Sequence, residues 1–175
     1  MKKLKEIFNE ASLSRVFKHL DSDRPVAILT AFRGNFTYKE NVKRNKELAA
    51  SIKNEGYGYF FVDGHWVEEE GNNETDTSED SIFVIGDKND SGRLKSLVIK
   101  LMKKYDQDAV VFKSETEKST SLLFQNGSVE SIGKATANKV AQAYTKLRGR
   151  SNGTFVFESS DIDRTWIQKL SKNNK

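Results

Sequence analysis

Apolar positions along the chain fall into two rhythms, and the changes of rhythm mark the elements. Leu4, Ile7, Phe8 and Ala11 recur at helical spacing, as do Leu13, Val16, Phe17 and Leu20, so the first twenty residues predict a helix in two pieces. Ser12 or Ser14 can cap the second piece. The segment Asp21-Ser-Asp-Arg-Pro25 breaks it with the chain's only proline, because the residue before a proline resists the helical region. Residues 26–31 form a short β-branched run that predicts a buried strand, and Gly34-Asn35 turns the chain. Residues 40–54 read as a helix with an inward stripe of Val42, Leu48, Ala49 and Ile52, with Asn45 in line and Gly56 as its stop. Residues 57–62 predict a strand, Asp63-Gly64 a turn, and residues 65–67 a short returning strand.

The run EEEGNNETDTSED at 68–80 has no apolar residue, so a mobile loop is expected there, followed by a strand over 81–85. Residues 92–105 place Leu94, Leu97, Val98, Leu101, Met102 and Tyr105 on one face of a helix. Strands are expected at 109–113 and 121–125, with Asn126-Gly127 closing that region. Val129, Ile132, Val140, Tyr144 and Leu147 predict a further amphipathic helix over 129–147. A basic loop at 149–153, a strand at 154–158 and a short helix at 161–170 complete the chain.

From residue 26 to 113 the order is β-α-β-β-α-β, the split βαβ order of ferredoxin-like sheets. The expected fold class is α+β: a mixed, mostly antiparallel sheet with helices packed on it and extra helices at both ends. A chain of 175 residues is about one domain. Its core is expected at about 26–127, with 1–25 and 128–175 as helical extensions. Topology stays open, because order alone does not fix how the strands are wound.

Composition narrows the function classes. The chain has no cysteine, which excludes disulfides, thiolate catalysis and Cys-based metal sites. The N-terminus is basic but carries Glu6 and Glu10 and lacks a signal-peptide core, and no apolar run approaches the roughly 20 residues of a membrane helix. The expected setting is the cytoplasm, without membrane contact. The net charge of +4 divides unevenly: residues 1–50 carry +5 (11 Lys/Arg, 6 Asp/Glu), 51–129 carry −6 (9 and 15), and 130–175 carry +5 (9 and 4). Basic ends either offer a surface to nucleic acid or an acidic partner, or are ordinary solvated surface.

Three constellations could carry chemistry. The first is polar: Thr30, Arg33, Asn35, Asn41, Arg44, Asn45 and Gln107 gather where the first strand ends and the next helix begins. Two arginines and side-chain amides at a helix N-terminus suit a phosphate or other anion. Equally, Asn35 and Asn41 can satisfy turn and cap geometry, and Asn45 and Gln107 buried backbone groups. The second is aromatic: alternation puts Tyr57, Tyr59 and Phe61 on one strand face, and Phe60 and Val62 on the other. That is either a stacking platform for single-stranded nucleic acid or core. The third is basic: Lys139, Lys146, Arg148 and Arg150, with Arg164, can contact a phosphate backbone or simply keep the surface solvated.

No catalytic set is legible. His19 and His65 share no motif, and no Ser-His-Asp arrangement, phosphate loop or dinucleotide fingerprint occurs. The acidic run lacks the spacing of a calcium loop, so neither a metal nor a cofactor is expected.

Thr30-Ala31-Phe32, Asn41, Arg44-Asn45, Leu48, Gly56-Tyr57-Gly58, Gly64, Trp66, the segment 79–81 and Tyr105-Asp-Gln107-Asp-Ala109-Val110-Val111 resemble an uncharacterised family, domain-of-unknown-function family three-two-nine-three, of bacteria and bacteriophages. The resemblance covers roughly 26–127 and implies a fold unit and a phage setting, hence the cytoplasm of a host cell or a virion, with no reaction to carry over. The functional expectation is a non-enzymatic bacteriophage accessory protein that binds nucleic acid or a host or phage protein. A virion-associated structural component is one alternative. An enzyme acting on a nucleotide or nucleic-acid phosphate is the other. Oligomeric state is not legible.

Overall fold

The computed structural model describes residues 13–70, 73–136, 143–147 and 154–158. Three helices, α1 (Leu13–Leu20), α2 (Tyr38–Asn54) and α3 (Arg93–Tyr105), accompany eight strands among these residues: β1 (Val26–Leu29), β2 (Gly58–Glu70), β3 (Asn73–Ile85), β4 (Ala109–Lys113), β5 (Thr120–Phe124), β6 (Val129–Thr136), β7 (Ala143–Leu147) and β8 (Thr154–Glu158). The fold class is α+β. The strands close into a barrel in the order β1-β3-β2-β7-β8-β6-β5-β4, and every neighbouring pair is antiparallel.

Within the barrel the run β4-β1-β3-β2 is the strand order that a split βαβ unit requires, with α2 and α3 as its crossovers. The sheet does not stop at those strands, as an open ferredoxin-like sheet would. Strands β5 to β8 carry it round until β2 pairs with β7 and β4 with β5.

Closure divides the core in two, and β1 shows how. Ala27 and Leu29 join a cluster with Leu48, Ala49 and Ile52 of α2 and with Leu94, Val98, Leu101, Met102 and Tyr105 of α3. Val26 and Ile28, on the opposite face, join Val62, Phe83, Val111, Leu122 and Ile132, with Val16 and Leu20 of α1. Two helices do not fit inside an eight-stranded barrel, so the first cluster lies outside the wall and the second inside it. The alternation of β2 follows: Tyr59 and Phe61 pack against the outer cluster, Phe60 and Val62 in the inner one. These aromatics are therefore packing groups, not an open stacking face.

Residues 129–147, expected as a helix, are β6 and β7 with a segment between them. The misleading feature is a bulge. Thr120 pairs with Gly133 but Ser121 pairs with Ser131, so Ile132 is an extra residue on β6. Gly133 takes φ +82°, which a side chain would resist, and Thr120 Oγ1 donates to its carbonyl at 2.6 Å. The extra residue breaks the period of two and makes the Val129–Ile132 spacing look helical. The acidic run is likewise not a loop throughout: β2 and β3 stay in register from Gly58↔Ile85 to Glu70↔Asn73. Backbone pairing holds that ribbon together, and hydropathy does not report backbone pairing. The expected helices at 4–11 and 161–170 lie outside the described residues.

Candidate functional site

At the end of β1 the chain leaves the sheet, and residues 30–33 are in neither helix nor strand. Their backbone groups are buried and need partners. Side chains supply them. Asn45 Oδ1 accepts from the Ala31 N–H at 3.0 Å while its Nδ2 donates to the Asp80 carbonyl at 3.0 Å. Asn41 does the same for Arg33, accepting from its N–H and donating to its carbonyl, both at 2.9 Å. Arg44 Nε donates to the Ala31 carbonyl at 2.9 Å, and Gln107 Nε2 to the Phe32 carbonyl at 2.9 Å. Thr30 Oγ1 donates to the Asp80 carbonyl and accepts from the Phe32 N–H. Five side chains thus hold a segment that no backbone ladder is shown to hold.

The helix that delivers three of them, Asn41, Arg44 and Asn45, is fixed by its start. Thr37 and Glu40 form a reciprocal capping box, with the Thr37 N–H and hydroxyl on Glu40 Oε2 at 2.8 and 2.7 Å. These donors hold the Glu40 carboxyl below its ordinary value. The cap starts α2 at Tyr38 and puts Asn41, Asn45, Leu48, Ala49 and Ile52 on its buried face, with Asn41 taking the place expected of Val42. Both asparagines are nearly inaccessible, at 5% and 3%.

Arg33 reaches Asp106 at 2.8 Å and Asp108 at 3.1 Å, just beyond the end of α3. Arg44 Nη2 donates to the Tyr105 carbonyl at 3.0 Å, and its guanidinium lies 4.2 Å from the centre of the Phe36 ring. Sequence reasoning named Thr30, Arg33, Asn41, Arg44, Asn45 and Gln107, and the structure brings all six together. Asn35 stands at the exposed turn beside them, with no part in the clamp. It missed the acidic partners of Arg33 and the aromatic rim: Phe36 is 37% and Tyr38 71% exposed, and Tyr38 meets Phe32 edge-on at 6.0 Å. The signal available was two aromatics flanking a cap residue, Phe36-Thr37-Tyr38.

Of the basic candidates, one is described. Lys146 is in β7, in register with Asp63 of β2 and Thr154 of β8; Lys139, Arg148 and Arg150 lie outside the described residues. A second polar group lies at the other end of β1. Asp90, fully buried, accepts from the Tyr57 hydroxyl at 2.9 Å and from the Leu94 N–H at 2.6 Å, and so caps α3. Burial first, and then Asp90, pushes the Tyr57 hydroxyl up to about 12. Among the described residues no group of three or more His, Asp or Glu is placed to hold a metal ion, and no helix is long and apolar enough to cross a membrane.

The model of the S-Adenosylmethionine lyase family matches residues 27–158, from β1 through all eight strands. Among solved structures, a phage SAM lyase in complex with S-methyl-5'-thioadenosine matches at 18% identity and a TM-score of 0.33, over 63% of this chain and 90% of that one. No curated protein matches the chain. The family match overturns the resemblance to the unknown-function family. It also overturns the expectation of a non-enzymatic binder of nucleic acid or of a host or phage protein, and that of a virion component. Of the readings from sequence, the enzyme alternative is the one it favours.

Proposed function

Because the chain belongs to the S-adenosylmethionine lyase family, we propose that it breaks a carbon–sulfur bond of S-adenosylmethionine without water or an oxidant. The match across the whole barrel carries this reading. The substrate's chemistry explains why no acid–base pair needs to be legible. A sulfonium leaves as a neutral thioether, so it requires no proton from a general acid. A lyase adds no water, so the incoming electron pair comes from the substrate itself. We propose that its carboxylate closes on its own γ-carbon: the C–O bond forms as the C–S bond breaks, the bonding pair goes to sulfur, and a five-membered lactone and a thioether result. Such a reaction asks the protein for a folded substrate conformation and exclusion of water.

We assign the substrate-facing surface to the loop between β1 and α2. What supports this is the contrast within it. Asn41, Asn45 and Gln107 are occupied holding the backbone, so they act as positioning residues. Phe36 and Tyr38 are exposed beside them, and aromatic faces suit both an adenine ring and a sulfonium cation. The corresponding setting is the host cytoplasm, where this substrate is held.

The test is incubation of the purified chain with S-adenosylmethionine carbon-13-labelled in its amino-acid part, followed by NMR. Equal amounts of thioether and labelled lactone are expected. Loss no faster than with heat-denatured protein would overturn the reading, and an unsaturated amino acid in place of the lactone would replace ring closure by elimination. Tyr38→Ala should raise KM by about three- to tenfold, the scale of one cation–π or stacking contact, with little change in melting temperature. An unchanged KM would remove the loop from the site.

A further inference from the structure

We infer that α1 is a detachable plug in one mouth of the barrel, fastened by Lys113 at the end of β4 and Lys118 of the β4–β5 connection, and that it leaves as a unit while the barrel stays folded. Val16 and Leu20 are 0% and 4% exposed, and they pack in the inner cluster with residues from β1, β2, β3, β4, β5 and β6. Val16 and Leu20 belong to the cluster inside the wall, and a helix outside a closed wall could not join it, so α1 enters through a mouth. Only residues 21–25 separate α1 from β1, and so short a tether admits it only at the mouth where β1 begins.

The fastening is at the tether. Lys113, fully buried at the end of β4, donates its three N–H groups to the carbonyls of Ser22 at 2.9 Å, Ser114 at 3.0 Å and Glu117 at 3.3 Å. Lys118 donates to the Asp21 carbonyl at 2.7 Å and to the Asp23 carboxylate at 3.1 Å. Ser22 in turn closes the end of α1, its hydroxyl on the His19 carbonyl at 2.7 Å. The clasp therefore acts on the last turn of the helix. A helix of eight residues has little stability of its own, and α1 precedes the residues that match the family. The barrel pairs all its strands without α1. Its release would open an apolar chamber lined by Val26, Ile28, Phe83, Val111 and Leu122.

Native-state hydrogen exchange of the full chain, read by NMR at rising urea, tests this. Amides of α1 are expected to exchange at least a hundredfold faster than those of β1 and β4, with a weaker urea dependence, because the opening exposes less surface. Lys118→Ala, whose side chain is half exposed, should speed α1 exchange severalfold. Lys113→Met, if it folds, should speed it tenfold or more and brighten an apolar dye such as anilinonaphthalene sulfonate. Protection in β4 and β5 should be unchanged in both variants. If α1 and β1 exchange together with one urea dependence, or if Lys118→Ala leaves α1 exchange unchanged, α1 is an integral part of the core and the inference is wrong.

Discussion

At the scale of single residues, the buried polar groups are where this chain is most exposed to damage. Asn45 satisfies the buried Ala31 N–H and ties it to a second segment through the Asp80 carbonyl. Asn45→Ala leaves the Ala31 N–H unsatisfied, which costs about 1–3 kcal/mol, while the Asp80 carbonyl keeps the Thr30 hydroxyl. The expected loss is about 1–3 kcal/mol, which at about 2–4 °C per kcal/mol for a chain of this size is readily seen by calorimetry. A loss under about 0.5 kcal/mol would mean that water substitutes freely. Tyr57 gives a different signature. Its hydroxyl is pushed up to about 12, above the ordinary tyrosine value, so the folded state keeps a proton that the unfolded chain releases. That contribution is complete below about pH 10 and is lost as pH rises towards 12. Tyr57→Phe should cost about 1–3 kcal/mol at neutral pH by taking one of two donors from buried Asp90. Its stability should also fall less steeply than the parent's between pH 10 and 12; parallel profiles would show that another group governs the alkaline limb. The asparagines were visible in the sequence as polar interruptions of an apolar stripe. Asp90 was not, because a carboxylate in a polar loop (Asp87-Lys-Asn-Asp90) gives no sign that it will be buried.

At the scale of elements, legibility followed periodicity. Helix α3 was readable because its apolar face is continuous: Leu94, Val98, Leu101, Met102 and Tyr105 are buried, with Leu97 partly buried beside them. Helix α2 was readable in extent, but its buried face includes two amides, so hydropathy alone placed Val42 where Asn41 belongs. β6 was misread for a definite reason: one bulged residue, Ile132, shifts the alternation and imitates a helical step. The long ribbon of β2 and β3 was misread because its cohesion is in backbone pairing. The start of α2 offers a test at this scale. Glu40 is held below its ordinary carboxyl value by Thr37. The group therefore contributes stability above its unfolded value that is lost as pH falls through the folded one. Lowering the pH from 6 to 3 should reduce the melting temperature of the parent more than that of Glu40→Gln, which keeps an acceptor oxygen but has no carboxylate to titrate. Equal acid profiles would show that the capping box does not couple to pH. Gly86 marks a second constraint: a Cβ there would meet Pro25 Cγ at 2.5 Å. Gly86→Ala should destabilise by about 1–3 kcal/mol through this overpacking, read from the urea midpoint, because the Gly86 N–H also bonds the Pro25 carbonyl at 2.8 Å.

At the scale of the whole molecule, antiparallel register sorts the polar groups into two poles. Val26 faces Ile85 and Lys113, while Leu29 faces Ile82. The entry to β1 therefore shares its end of the barrel with Lys113, the Tyr57–Asp90 pair and the α1 tether. The exit shares the opposite end with the asparagine clamp, Arg44 and the aromatic rim. A wall of paired strands separates them, so substitutions at the two ends should act independently. Tyr57→Phe should lower stability but leave kcat/KM for S-adenosylmethionine within about twofold at temperatures where the variant is folded. Asn41→Ala should lower stability and also raise KM, because it releases the Arg33 backbone and the loop leading to Phe36 and Tyr38. The double variant should lose the sum of the two stabilities to within about 0.5 kcal/mol. The informative failure is a tenfold loss of kcat/KM in folded Tyr57→Phe with Asn41→Ala unimpaired. That result would move the substrate to the α1 pole, where the plug would then stand directly over the reaction.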